Sequence, residues 1–365
     1  MPGSSEFRNN NFDLIRLLAA TQVALWHSIE IMQVDISAFG RHLASLLHLF
    51  PGVPIFFFIS GFLISRSYES NPNVAEYASN RILRLYPALI CAVTLSFLLI
   101  FISGYMQSTG ASVGDWMVLF IAKTTFVQFY NPDFMRAYGD GVLNGSLWTI
   151  TVELQFYILV PLLYHLIFRQ AEGSNFRLLV LIVMFFLLNR LWDGANGEFR
   201  DAIWYKLVGV SFIPWFYMFL IGVAFQRNFA LFYRLLAGRF PYLLVPYLIV
   251  GLIGVHFEVN LGNNPNPLIL VMLIPVIFSL SYSFPGLAKR ITGGNDLSYG
   301  IYIYHMPLVN CFIYAGLFGS MVWSLSALGL TFAVAACSWF FIEKKCLALK
   351  NHPLNPLRAS GTAVS

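Results

Sequence analysis

Apolar residues in this chain run in stretches of about 20, the length a helix needs to cross a bilayer's hydrocarbon core at 1.5 Å per residue. Polar or Pro/Gly-containing breaks separate them. Ten such stretches are predicted, approximately at 12–32, 48–65, 86–105, 143–168, 176–192, 207–226, 241–257, 267–284, 298–318 and 321–342. In lipid each backbone N–H and C=O must find its partner within the segment, so these stretches read as helices. A further apolar run, 116–130, is short and broken by Lys123, and reads as an interfacial or re-entrant segment. The pattern predicts an all-α, polytopic bundle of about ten transmembrane helices. One membrane domain spans 1–350, and a short polar tail, 351–365, is expected to be disordered.

Composition agrees with this. Of the 365 residues, 58% are apolar and 11% charged, against roughly a quarter charged in a soluble domain. The net charge of +5 would suggest nucleic-acid affinity in a soluble protein. Here the basic residues lie in short loops, where they orient the chain and imply no nucleic-acid partner. With the N-terminus placed in the cytoplasm, the far side holds only Arg41, Lys123, Arg136, Arg190, Arg200 and Lys206. Arg16 lies within the first span, and the other fifteen of the 22 Lys and Arg fall on the cytoplasmic side. That bias predicts both termini in the cytoplasm. The first apolar stretch carries Arg16 and His27 and lacks a small-x-small cleavage site, so it reads as a retained span. Cys91, Cys311, Cys337 and Cys346 have no metal-ligand spacing and read as small buried hydrophobes, so no metal is expected.

Ionisable groups at membrane depth cost about 2.5–3.5 kcal/mol each on insertion scales, so those present need a reason. Arg16 and His27 are eleven residues apart, which returns to within about 20° of one direction on a helix and separates them by about 16 Å. One face of the first helix thus carries a cation and, deeper, a group that accepts a proton near neutral pH. Alternatively Arg16 pairs with Asp13 and His27 is a hydrogen-bonded core residue. Arg81 and Arg84, three apart, place two guanidinium forks on one face at a helix mouth, suited either to phosphates or simply to topology. Glu153 lies about two turns inside its span, with Ser146 and Tyr157 on the same stripe. It would orient His27 as the third member of a catalytic array, or form an ion pair with Arg16. His305 sits on a stripe with Tyr302 and Tyr299 that either lines a carbohydrate site or forms a helix contact. The Ser60-Gly61 pair suits close helix approach.

These segments together resemble the acyltransferase family 3 membrane enzymes. The resemblance rests on Phe12-Asp-Leu-Ile-Arg16 through His27-Ser and on Gly52-Val-Pro-Ile-Phe-Phe-Phe-Ile-Ser60-Gly-Phe-Leu. It continues in Arg81-x-x-Arg84-x-x-Pro87, Ser146-Leu-Trp148 through Glu153 and Tyr157, Ser298-Tyr-Gly-Ile-Tyr302 through His305-Met-Pro, and Phe341-Ile-Glu343. The chain departs from the family where Lys344-Lys345 replaces a frequent proline. The resemblance implies an inner-membrane enzyme that takes acetyl-CoA from the cytoplasm and modifies a glycan on the other side. It implies His27 as the catalytic residue and ties Arg81 and Arg84 to the acyl-CoA donor, which is a substrate rather than a bound cofactor. The expected site is therefore His27, Glu153 and Arg16 for catalysis and Arg81, Arg84 and Arg16 for the donor. Ser146, Trp148, Tyr157, His305 and Tyr302 are expected on the acceptor. The acceptor sugar, the acyl length and the oligomeric state are not specified. The rival reading is a proton-coupled secondary transporter of a sugar or organic anion.

Overall fold

The computed structural model describes residues 7, 9–169, 172–257 and 259–351. Among these the chain is helical, with no strand. The principal helices are α1 (Phe12–Ile31), α2 (Gly52–Ser70), α3 (Val74–Ile102), α4 (Val113–Thr124), α5 (Trp148–Leu166) and α6 (Ser174–Gly194). They continue as α7 (Phe216–Arg227), α8 (Phe229–Leu236), α9 (Phe240–His256), α10 (Pro267–Ser283), α11 (Ser298–Tyr314) and α12 (Met321–Ser338). Each of the ten predicted stretches corresponds to one of these helices. The predicted tail, 351–365, lies outside the described residues apart from Asn351.

Five helical units are long and apolar enough to cross a membrane: Gly40–Ser70, Val74–Ile102, Gly145–Leu166, Ser174–Gly194 and Met321–Ala348. The pair α8 and α9, bent by 81°, makes a sixth if counted as one span, while α7 and α10 are apolar but shorter. The outer surface explains this length. Leu179, Val180, Val183, Leu187 and Leu191 leave α6 exposed and apolar, which suits lipid and would be a liability in water. Inside, every residue of α11 from Ser298 to Asn310 is buried. The chain is thus an all-α, multi-pass integral membrane protein.

Its two faces are tied separately. On the terminus face the Asn11 amide donates to the Ser281 carbonyl at 2.9 Å. On the opposite face the Gly319 amide donates to the Met32 carbonyl at 2.8 Å.

Where the helices differ from the apolar pattern, polar side chains carry the backbone. α3 starts three turns before the predicted 86, with the Asn73 side chain capping the Glu76 amide at 3.0 Å and Pro87 lying within the helix. Those first turns are polar, so a hydropathy window stops short of them. The predicted stretch 207–226 breaks into a short helix, Ile203–Gly209, and α7. Across the gap the Gln155 side chain accepts from the Phe212 amide at 2.8 Å and donates to the Val210 carbonyl at 3.1 Å, replacing two ladder bonds. The end of α12 continues through a π-helical turn, Trp339–Glu343, into Lys344–Ala348. α4 lies along α3, where Phe97 meets Trp116 and Phe120 with ring centroids 5.8 and 5.3 Å apart. Lys123 is wholly buried there, donating to the Gln128 carbonyl at 2.6 Å and to Asn131 Oδ1 at 2.8 Å.

The closest helix crossing is α2 against α7. A Cβ on Gly61 would lie 1.9 Å from the Phe219 carbonyl oxygen, and one on Gly222 would lie 2.1 Å from the Phe58 oxygen. Both partners are backbone, so neither can rotate away, and the Ser60-Gly61 pair does allow the approach its small size suggested. Gly61→Ala should therefore force the helices apart, at a cost of about 1–3 kcal/mol or more. Gly329→Ala, on α12 with nothing within 4 Å, should leave stability unchanged or slightly raised. Thermal unfolding of both variants in detergent checks this. Equal midpoints would mean the crossing is not a close contact.

Candidate active site

The polar stripe of α1 faces α11 along its length. Arg16 Nη1 bonds Asp296 Oδ2 at 2.9 Å just before α11 begins, and His27 Nδ1 lies 2.9 Å from His305 Nε2 within it. The eleven-residue spacing puts both side chains on one face of α1, and that face meets α11 and the residue Asp296 just before it.

The second contact fixes a tautomer. His305 Nδ1 is 3.2 Å from the Ile301 carbonyl, which can only accept, so Nδ1 carries the proton and Nε2 is bare. His27 Nδ1 must then donate to His305 Nε2. In the neutral ring His27 Nε2 is then unprotonated, and it has no partner among the described residues. Such a nitrogen is a base or a nucleophile.

At the terminus face Asp296 gathers the cations. It pairs with Arg16 and with Arg84 Nη2 and accepts from the Ser298 hydroxyl, while its Oδ1 takes the Ser298 amide at 3.1 Å. Burial alone would raise this carboxyl. The guanidinium groups of Arg16 and Arg84 and the Ser298 donors outweigh it and hold the group well below the usual carboxylate range. Two guanidinium groups share this carboxylate within a wider charged cluster that also takes in Asp13 and Glu343. Lys350, on the last described turn, adds to it: burial first, then the like charges of Arg81 and Arg84, pull its ammonium down to about 8. Sequence reading missed both residues. Asp296 was hidden in a loop, although Asp-x-Ser ahead of an apolar run is a capping signal, and Lys350 had counted only toward topology.

Arg81 and Arg84 do not share one face as their spacing suggested. Arg84 turns to Asp296, whereas Arg81 lies over the rings of Tyr77 and Tyr157 at 5.6 and 5.8 Å and reaches Ser67 Oγ at 3.3 Å. Its buried Nε has no partner among the described residues. Both arginines sit within α3, not at its mouth.

Glu153 stands apart from His27 and makes no ion pair with Arg16. Its Oε1 accepts from Ser60 Oγ at 3.0 Å and from the Tyr157 hydroxyl at 2.5 Å. Glu153 and Arg16 line a narrow enclosed cavity of about 40 Å³, with Ser60, Thr149, Val53 and Tyr302. Val53 and Tyr302 also line a second cavity of about 150 Å³, which contains His27, Trp26, His48, Trp148 and Asn263. The two cavities lie on either side of the Val53–Tyr302 wall, with Arg16 lining the first and His27 the second.

Of the residues expected on an acceptor, Trp148 and Tyr302 line the His27 cavity and the others do not. Ser146 is buried, donating to Asn144 Oδ1 at 2.7 Å and to the Tyr302 carbonyl at 3.1 Å, where it fastens the start of α5 to α11. Tyr157 is held by Glu153 and faces a groove between α3 and α5. His305 has both ring nitrogens engaged behind His27, so it supports that ring instead of meeting a ligand.

The acyltransferase domain family matches residues 9–343. Nodulation protein 10 of Rhizobium leguminosarum bv. viciae is 30% identical over 95% of this chain and 95% of its own. The O-acetyl transferase of Shigella phage Sf6 is 27% identical over 95% of this chain and 99% of its own. O-acetyltransferase OatA of Staphylococcus aureus is 30% identical over 34% of this chain and 22% of its own. No solved structure matches the chain.

Asp296→Asn removes the anion from two half-buried guanidinium groups, which should cost about 1–3 kcal/mol in thermal unfolding. Because the carboxyl is depressed, its contribution is complete above the ordinary value of about 4 and fades only as pH falls through the lowered one. The gap between wild type and variant should therefore be constant from pH 5 to 8. A variant as stable as wild type, or a gap that closes within that range, would contradict the cluster's role.

Proposed function

The chain belongs to this acyltransferase family and is a membrane acyltransferase; on that footing we propose that it moves an acetyl group from acetyl-CoA to a hydroxyl of a cell-envelope glycan. The terminus face is the cytoplasmic one, by the distribution of Lys and Arg, and the membrane is a bacterial inner membrane. The donor's phosphates meet Arg81 and Lys350, with Arg84 and Arg16 oriented behind them by Asp296. The thioester arm follows the cavity past Glu153 and Tyr302 to His27. The enclosed part is narrow, so the arm enters as its walls part.

At His27 the acceptor hydroxyl loses its proton to Nε2 while its oxygen attacks the thioester carbonyl. The C–S bond breaks, an ester forms, and the proton passes from Nε2 to the departing thiolate. His305 holds the Nδ1 proton in place throughout, so Nε2 is always the free nitrogen. The same atom would serve if the acetyl group paused on the imidazole before transfer. Glu153 acts on the wall of the passage, through Ser60 and Tyr157, rather than on His27. The observation that carries this reading is His27 Nε2, without a partner among the described residues, in a cavity that shares the Val53–Tyr302 wall with the one lined by Arg16. The O-acetyl transferase name of the phage relative supports a hydroxyl acceptor. Trp26, Trp148 and Asn263 around His27 are surfaces suited to a sugar ring.

His27→Ala should lower transfer by about 10²–10⁴-fold while acetyl-CoA binding and thermal stability stay near wild type. His305→Gln, whose carbonyl still accepts from His27 Nδ1, should retain far more activity than His305→Ala. Full activity in His27→Ala sinks the mechanism. The depressed Lys350 ammonium gives a separate test by calorimetry in nanodiscs. An anionic donor favours its charged form, so acetyl-CoA affinity should weaken as pH rises through about 8. Lys350→Met should remove that dependence, and a pH profile shared by both proteins would exclude Lys350 from the donor site.

A further inference from the structure

A larger cavity, of about 500 Å³, opens beside the His27 cavity on the face opposite the termini and shares Trp148 and Asn263 with it. Nothing in the proposed chemistry uses it. Its volume falls within the usual range for small-molecule sites. The wall is a connected set of rings. Trp215 lies 5.2 Å from Trp148 and 5.3 Å from Trp192, and Trp192 stacks on Tyr205 at 5.1 Å. Two of these indoles are held by their own N–H groups. Trp192 Nε1 donates to the Tyr205 carbonyl at 3.2 Å and Trp215 Nε1 to the Gly209 carbonyl at 2.8 Å. The rings therefore form a pre-arranged surface whose geometry does not wait for a ligand.

Amides and the Lys206 ammonium complete the lining. Asn263 is exposed between the two cavities, and Gln128 in the wall is fully buried, with no partner for its Nε2 among the described residues. An unmade bond on a buried amide is unfavourable, and a ligand hydroxyl set against it would relieve that. A lipid tail fits this lining poorly. The groove between α3 and α5, lined by Ile82, Leu154, Ile158 and Leu162 with Arg81 its one charge, shows what a lipid-facing surface of this protein looks like. Aromatic faces with amides at their edges match a pyranose, which has an apolar face of C–H groups and a rim of hydroxyls.

We propose that this cavity is a distal acceptor subsite, which holds the sugar units attached to the one presented to His27. The preferred acceptor is then an oligosaccharide or polymer, not a monosaccharide. The inference rests on the glycan-acceptor reading above and adds a length requirement to it.

The test is binding to the full-length protein in nanodiscs, by calorimetry, of glucose and N-acetylglucosamine oligomers of one to four units. Affinity should rise about tenfold or more from one unit to four, equivalent to ~1.4 kcal/mol. Trp192→Ala should abolish the rise, and Trp192→Phe should keep most of it. Asn263→Ala, an exposed change that cannot disturb the core, should reduce it. Affinity independent of length, or a rise that both alanine variants retain, overturns the subsite and leaves the glycan acceptor standing. No binding of any saccharide by a sample that still binds acetyl-CoA overturns the glycan acceptor, and the subsite with it.

Discussion

A helix that carries an arginine and a histidine through a membrane must find partners for both on its neighbours, because lipid offers none. In this protein one pairing of helices meets that demand. α1 meets α11 at Asp296 and again at His305, so the same contact holds an ion cluster at one face and an imidazole pair near the other. The rest of the site is arranged about that contact. α3 adds Arg84 to the cluster, α5 is fastened to α11 through Ser146 and the Thr149–Tyr302 hydroxyl pair, and the two adjacent cavities lie alongside. Moving α11 would disturb every polar group in the passage at once.

The two ends of this contact do different physical work. Asp296 pairs with two guanidinium groups that would otherwise repel each other. The histidine pair, in its neutral form, decides which nitrogen is free, because the Ile301 carbonyl can only accept. Charge thus sits where a phosphate-bearing donor would arrive, and a neutral base sits where a hydroxyl would. The separation also explains why Glu153 bonds Ser60 and Tyr157. Beside His27 it would favour the charged imidazolium and work against a free base.

Much of this was legible in the sequence because lipid imposes simple rules. Apolar runs of span length located the helices, and the eleven-residue interval between Arg16 and His27 located the face they share. The illegible parts are those where one residue's meaning depends on a distant one. His305 read equally well as a sugar contact until His27 was found against it. Arg81 and Arg84 read as one clamp because their spacing allows it, but Asp296, more than 200 positions away, claims only Arg84. Polar helix turns were also invisible to hydropathy, as the start of α3 shows, and so was the break before α7, where Gln155 replaces the backbone ladder.

The central claim is that donor and acceptor meet at His27 from opposite faces. Proteoliposomes with the chain in one orientation test this directly. Labelled acetyl-CoA is supplied on the terminus side and an oligosaccharide acceptor is enclosed on the other. The account predicts labelled, acetylated oligosaccharide in the compartment opposite the donor, and none from His27→Ala. Product that forms only when donor and acceptor share the terminus-side compartment would contradict it.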